Sequence, residues 1–144
     1  MTRITTLWLA LVPLLTIGCV AQARSPEPVP IDHVECARCR MLISSENGAA
    51  EVLSASMDTR FYDDVGCLAS DWSRHADTDT AFVHLSTGRW IDARQATYAR
   101  PSGARTAMGS GFVAFATADE ARADGADGRV FSFDDLVRAE GAAR

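Results

Sequence analysis

The stretch "TRFYDDVGCLASDWSR" (residues 59–74) predicts a strand that runs directly into a helix. Its first four residues combine a β-branched residue with aromatic ones, a composition that favours strands. Apolar residues then recur at the spacing of one helix face, at Val65, Leu68, Ala69 and Trp72. Asp63 or Asp64 can cap this helix, because a side-chain oxygen there accepts a hydrogen bond from a free backbone N–H of the first turn.

Cys67 lies on the predicted helix but off its apolar stripe. At about 100° per residue, its side chain points roughly 160° away from that of Val65. It therefore faces away from the sheet that the stripe should cover, unless another segment packs there. A position in the first turns of a helix favours the thiolate form. Cys67 is either an additional sulfur ligand or a buried cysteine without a function.

Similar patterns continue on both sides of this stretch. They predict strands at 49–55, 81–85, 89–93 and 112–116, a capped helix at 117–125, and a strand and a helix within 129–144. The segments "FYDDVGCL" (61–68) and "FSFDDLVR" (131–138) both lead from an aromatic strand into a helix that begins at paired aspartates. This echo indicates either two related β-β-α-β halves or only that aspartate pairs make good helix starts.

Composition limits the class of protein. The chain has 144 residues, of which 47% are hydrophobic and 23% charged, as is ordinary for a soluble globular protein. The formal net charge of -5 argues against nucleic acid as the main partner, because binding phosphates needs a concentrated positive field. The sequence contains no nucleophile elbow, phosphate loop or H-E-x-x-H motif, so we expect a binding protein rather than an enzyme.

The N-terminus predicts export. Residues 1–18 have a positive charge followed by an apolar run that is too short for a comfortable membrane span, as in a signal peptide. "LLTIGC", which ends at Cys19, resembles a bacterial lipobox, whereas "AQA" (21–23) resembles an ordinary cleavage site. We favour lipidation of Cys19, and the valine that follows resembles lipoproteins sent to the outer membrane. Residues 19–31 then form the anchor and a Pro-rich spacer.

The segment "ECARCRM" (35–41) brings sulfur atoms together in the sequence. No second pair of cysteines or histidines completes a zinc site, and no strand-to-helix context supports a thioredoxin-like site. A structural disulfide or a soft-metal site remains. Cys36, Cys39 and Met41 offer thiol and thioether ligands, which select Cu(I). With Cys19 removed, three cysteines are left, and an odd number cannot all pair within the chain.

Two further residues are candidate ligands of the same ion. Met108 lies in the Gly-rich segment 102–111, where a methionine has little core to fill and the neighbouring glycines let the backbone turn tightly. His33 is close to the cysteines in sequence and is a candidate auxiliary donor.

Three motifs together resemble the NosL family, the copper-binding accessory lipoproteins of nitrous-oxide reductase assembly. They are "CARCRM" (36–41), "STGRWIDARQATYA" (86–99) and "TAMGSGFVAFATADEA" (106–121). The resemblance implies an α+β domain at 32–140, built from two small similar β-β-α-β modules at about 32–85 and 86–140 and related to the organomercurial lyase fold. The glycine usual in the family's first motif is replaced by Arg40, and the proline usual before Met108 by Ala107.

The resemblance also implies a function. A lipid-anchored protein on the periplasmic side would bind Cu(I) through Cys36, Cys39, Met41 and Met108, with Cys67 and His33 as additional candidates. It would pass the ion on for assembly of the copper centres of nitrous-oxide reductase, with that enzyme and its assembly machinery as partners. The alternative is a periplasmic thiol enzyme, either a dithiol-disulfide oxidoreductase or an organomercurial-lyase-like protein.

Overall fold

The computed structural model describes residues 24–142, so the predicted signal peptide and Cys19 lie outside the described residues. The strands are β1 (Ala50–Leu53), β2 (Thr59–Tyr62), β3 (Thr80–His84), β4 (Trp90–Asp92), β5 (Thr97–Pro101), β6 (Val113–Phe115) and β7 (Ala126–Phe131). The helices are α1 (Val65–Asp71), α2 (Ala118–Ala123) and α3 (Phe133–Gly141), and a 3₁₀ turn (Trp72–Arg74) follows α1. Within 24–142, no helix combines the length and the apolar character that crossing a membrane requires.

The strands form two small antiparallel sheets, with the orders β2-β1-β3-β4 and β6-β5-β7. Helices α1 and α3 contact each other, and a single apolar cluster includes Leu68 of α1, Leu136 of α3 and Tyr98 of β5, all with no exposed surface. Since burial of apolar area is the main stabilising term in folding, this shared core holds α1 in place against the second sheet and α3.

Polar side chains cap the helices. Asp64 is the N-cap of α1, as the sequence predicts, and Thr117 is that of α2. The prediction that paired aspartates cap α3 is wrong, because that helix begins earlier and Ser132 is its N-cap. Asp135 instead completes a capping box from the first turn, where a carboxylate is still favoured by the free N–H groups.

Residues 24–30 lie against the first sheet. The Arg24 guanidinium donates to the carbonyl oxygen of Leu53 at 3.2 Å, and the backbone N–H of Glu27 donates to the carboxylate of Glu51. All four residues of β1 are buried. The alternation expected of a strand with one face in water is absent here because this N-terminal segment covers the outer face.

Candidate metal centre

The first element of the centre is a tight turn that carries two of the cysteines. Glu35 and Leu42 form an isolated antiparallel bridge, and inside it the backbone N–H of Cys36 donates to the Met41 carbonyl at 2.8 Å. Arg40 occupies the left-handed region at φ 68°, where the chain must turn sharply to close this loop. The loop 35–42 is thereby closed on itself, with both cysteines inside it.

The second element is α1, which carries Cys67. The loop 35–42 docks beside this helix through the backbone N–H of Ala37, which donates to the Phe61 carbonyl of β2 at 2.8 Å. Cys67 faces away from the apolar stripe, as its helical position predicts, yet it is 7% exposed. The sequence could not show which segment covers it, because that contact joins residues about thirty positions apart.

Together the two elements bring three thiols into one group. The Sγ atoms of Cys36, Cys39 and Cys67 all lie within 4.8 Å of one another, and all three residues are free cysteines. Among the side chains that the structure describes, no other three His, Cys, Asp or Glu ligand atoms come this close. Cys67, which the sequence leaves as an additional candidate, therefore belongs to the thiol group in the same way as Cys36 and Cys39.

The thiols differ in acidity. The pKa of Cys36 is lowered well below its usual value, chiefly by the Cys67 thiol and also by the backbone N–H groups of Cys39, Asp63 and Arg38, which outweigh the effect of burial. The pKa of Cys67 is raised, chiefly by its interaction with Cys36, and burial raises the pKa of Cys39. These opposite shifts favour a thiolate at Cys36, and a cation that binds the group would displace the remaining protons.

A solvent-open cleft of about 420 Å³ leads to the thiols. Cys39, Cys67 and Met108 line it, together with Arg38, Arg100 and Glu140. Met108 is 40% exposed, whereas Cys36 has no exposed surface and lies beneath the cleft. The methionine predicted from a distant part of the sequence therefore shares one cleft with two of the three cysteines.

Two other predicted ligands lie further from the cleft. Met41 is 53% exposed and is not among the described residues that line it, although its backbone N–H interacts with the Cys39 thiol and partly offsets the rise in pKa that burial causes there. His33 is exposed on the turn before the cysteine loop and does not belong to the thiol group. The structure thus brings three thiols into one group, and the Met108 side chain lines the cleft that leads to it.

Comparison with known proteins gives two matches. The NosL family model matches residues 28–140. The crystal structure of the copper chaperone NosL from Shewanella denitrificans is similar to this fold with a TM-score of 0.68 and 21% sequence identity, covering 81% of this chain and 99% of that chain. No curated protein matches the sequence. The structural similarity confirms the α+β fold class predicted from the sequence.

Proposed function

Since this chain belongs to the NosL family, whose model matches 28–140, we propose that it is a non-enzymatic carrier of Cu(I). The observation that carries the proposal is the group of three free thiols within 4.8 Å at the base of a solvent-open cleft. Thiolate sulfur selects Cu(I), which accepts few ligands and tolerates irregular geometry. The copper chaperone NosL of Shewanella denitrificans has a similar fold, which is consistent with this proposal.

In this proposal Cys36, Cys39 and Cys67 hold the ion. A structural zinc ion usually takes four Cys or His ligands, and among the described side chains no fourth Cys or His ligand atom lies within 4.8 Å of all three thiols. The thiolate on Cys36 supplies the first ligand at neutral pH, and the other two lose their protons as the metal binds. Three sulfur ligands leave a coordination position of the ion open. A carrier needs such a position, because the partner's ligand must bind the ion before the carrier releases it.

Met41 and Met108, both exposed, supply neutral sulfur atoms in addition to the thiols. Met108 lines the cleft and is exposed, so it can meet an ion that enters or leaves through the opening. Met41 is exposed two residues after Cys39 and supplies a second neutral sulfur. An incoming sulfur or imidazole ligand from a partner can then displace these ligands one at a time, so tight binding and release coexist.

The acceptor is the assembly pathway of the copper centres of nitrous-oxide reductase. This assignment is supported by the family and by the predicted lipobox that ends at Cys19, which would place the domain on the periplasmic side, anchored at the outer membrane. Deleting the gene in a denitrifying host tests it. We expect reductase isolated from the deletion strain to lack copper, and the wild-type gene but not a C36S/C67S variant to restore it. Full copper content in the deletion strain contradicts the assignment.

Native mass spectrometry of the reduced protein tests Cu(I) binding itself. We expect one Cu(I) per wild-type chain in competition with a Cu(I) chelator, and loss of that ion in C36S and in C67S. The matched control is M57A, because Met57 is exposed in the turn between β1 and β2 and is absent from the group and the cleft. Reduction of insulin or cleavage of an organomercurial, without stable metal binding, would instead support the thiol enzyme.

A further inference from the structure

The carboxylate of Asp64 connects the helix that carries Cys67 to the loop that carries Met108. Oδ1 accepts the backbone N–H of Gly66 at 2.6 Å, which caps α1. The same atom accepts the Ser110 hydroxyl at 2.6 Å, and Oδ2 accepts the backbone N–H of Met108 at 3.2 Å. Asp64 is 1% exposed, so these interactions are shielded from water.

The Met108 loop, residues 106–111, makes its other hydrogen bonds within itself or to the residue that follows it. The Thr106 carbonyl accepts the N–H of Gly109 at 3.0 Å, and the Thr106 hydroxyl accepts the N–H of Gly111 at the same distance. In the described chain, the two hydrogen bonds that join residues 106–110 to a distant segment both end on Asp64. The internal bonds shape the loop, whereas Asp64 fixes where it lies relative to the thiols.

The contact between loop and helix is also close. An ideal Cβ placed on Gly66 would collide with the Cβ of Ser110 and would lie 3.0 Å from Oδ1 of Asp64. Only a residue without a side chain at position 66 lets the loop approach the start of α1 this far. The Asp64 carboxylate and the backbone of Gly66, which has no side chain, therefore fix the position of this loop against α1.

We propose that Asp64 is a positioning residue that holds the Met108 sulfur at the mouth of the thiol group. The inference rests on the proposed Cu(I) function for its consequence, but the positioning itself is a property of the metal-free protein. Asp64 does not bind the ion. It acts through Met108, as residues around a metal site commonly act through the ligands that they orient.

D64N tests this positioning with little change in volume. An amide has one oxygen, so whichever way it is turned, either Gly66 N–H or Met108 N–H faces an NH₂ group instead of an acceptor. Asparagine is itself a good N-cap, so the helix retains the oxygen and the Met108 loop loses its acceptor. S110A removes the other link to the loop without touching the N-cap contact to Gly66. It keeps the inference testable if D64N folds poorly.

Amide hydrogen exchange of the copper-free protein is the first readout. We expect the Met108 amide to be protected in the wild type and to exchange about tenfold faster or more in D64N, with a smaller acceleration in S110A, as expected on loss of a hydrogen bond to a charged group. D135N is the matched control, because Asp135 also accepts bonds at a helix start but lies in α3. A Met108 amide that is unprotected in the wild type, or unchanged in both variants, overturns the inference whether or not copper binds.

A double-mutant cycle of Cu(I) affinity is the second readout. We expect D64N to weaken binding in chelator competition by about tenfold, as for other residues that orient a ligand. M108A should weaken it at least as much, and adding S110A, which leaves the Asp64 carboxylate unchanged, should not weaken it beyond M108A alone, because the positioning acts through Met108. If the double variant binds Cu(I) more weakly than M108A alone, so that the two fold-changes in affinity multiply, the inference is overturned. Absence of Cu(I) binding in the wild type would refute the proposed function instead and leave the exchange result to decide the positioning.

Discussion

The backbone N–H of Glu27 donates to both carboxylate oxygens of Glu51, at 3.1 Å to each. Glu51 lies in β1 with no exposed surface, beneath residues 24–30. Burial raises its pKa to about 7, an effect that the N–H of Glu27 opposes and the charge of Glu27 adds to. Residues 24–30 therefore cover Glu51, which keeps its proton up to a pH far above the usual range for a glutamate.

This proton makes stability depend on pH in a defined direction. Between about pH 4.5 and 7 the folded protein retains a proton on Glu51 that the unfolded chain has lost, so the contribution of Glu51 to the free energy of unfolding falls as pH rises through this window. The loss is on the order of 3 kcal/mol. Urea denaturation of wild type and E51Q from pH 4.5 to 8 measures it.

We expect E51Q to be more stable than the wild type at pH 8 and to approach it near pH 4.5, since glutamine cannot ionise. Other acids, such as Asp135, whose pKa is lowered chiefly by the Ser132 hydroxyl, change the free energy of unfolding with pH equally in both proteins. The difference between the two curves therefore isolates Glu51. Parallel curves across the whole range would contradict the prediction.

Arg40 gives a second prediction, on backbone strain. Its φ of 68° is costly for a residue with a Cβ, whereas glycine adopts this conformation without that cost. Its guanidinium also pairs with Glu35 at 2.8 Å, an exposed pair. We therefore compare R40G with R40A, which both lose the pair. R40G should be the more stable of the two by about 1 kcal/mol in chemical denaturation.

The control for this comparison is the neighbouring Arg38, which does not have a positive φ. There the alanine variant should be at least as stable as the glycine variant, because glycine gains more freedom in the unfolded chain. If the alanine variant were at least as stable as the glycine variant at position 40 too, the turn at Arg40 would not be strained.

Gly66 gives a third prediction. An alanine there would collide with Ser110 and crowd the Asp64 carboxylate. Although alanine favours a helix by about 1 kcal/mol over glycine, we expect G66A to lower the free energy of unfolding by about 1–3 kcal/mol, as overpacking does. G141A is the matched control, because a Cβ at Gly141 in α3 meets nothing within 4 Å. G66A with wild-type stability in thermal denaturation would show that the loop does not approach α1 this closely.

The sequence predicts local features well, because periodicity and capping depend on near neighbours. β2 is found at 59–62 as predicted, and the helix that follows is capped by Asp64. The same reasoning places Cys67 off the apolar stripe. It could not decide whether Cys67 joins the site, because that depends on a contact with the loop 35–42 that no local pattern encodes.

Two other features depend on contacts between distant segments. Glu51 is charged and sits in a strand, so its sequence gives no reason to expect complete burial, which arises only because residues 24–30 pack over it. Asp64 is predicted as a helix cap and is one, but its second oxygen holds Met108, 44 residues away in the chain. Sequence patterns identify the cap, and only the fold reveals the link to the loop.

The sulfur ligands give the last prediction, a ranking. The three thiols lie within 4.8 Å, whereas Met41 and Met108 are exposed and lie outside this group, so C67S should weaken Cu(I) binding more than M41A or M108A does in chelator competition. The M41A/M108A variant should still bind more weakly than wild type, and its free energy of unfolding should change by less than about 1 kcal/mol, since both positions are exposed. M57A, at another exposed methionine, should change neither quantity. Equal affinity in wild type and M41A/M108A would remove the methionines from the site, and equal affinity in C67S would remove the third thiol.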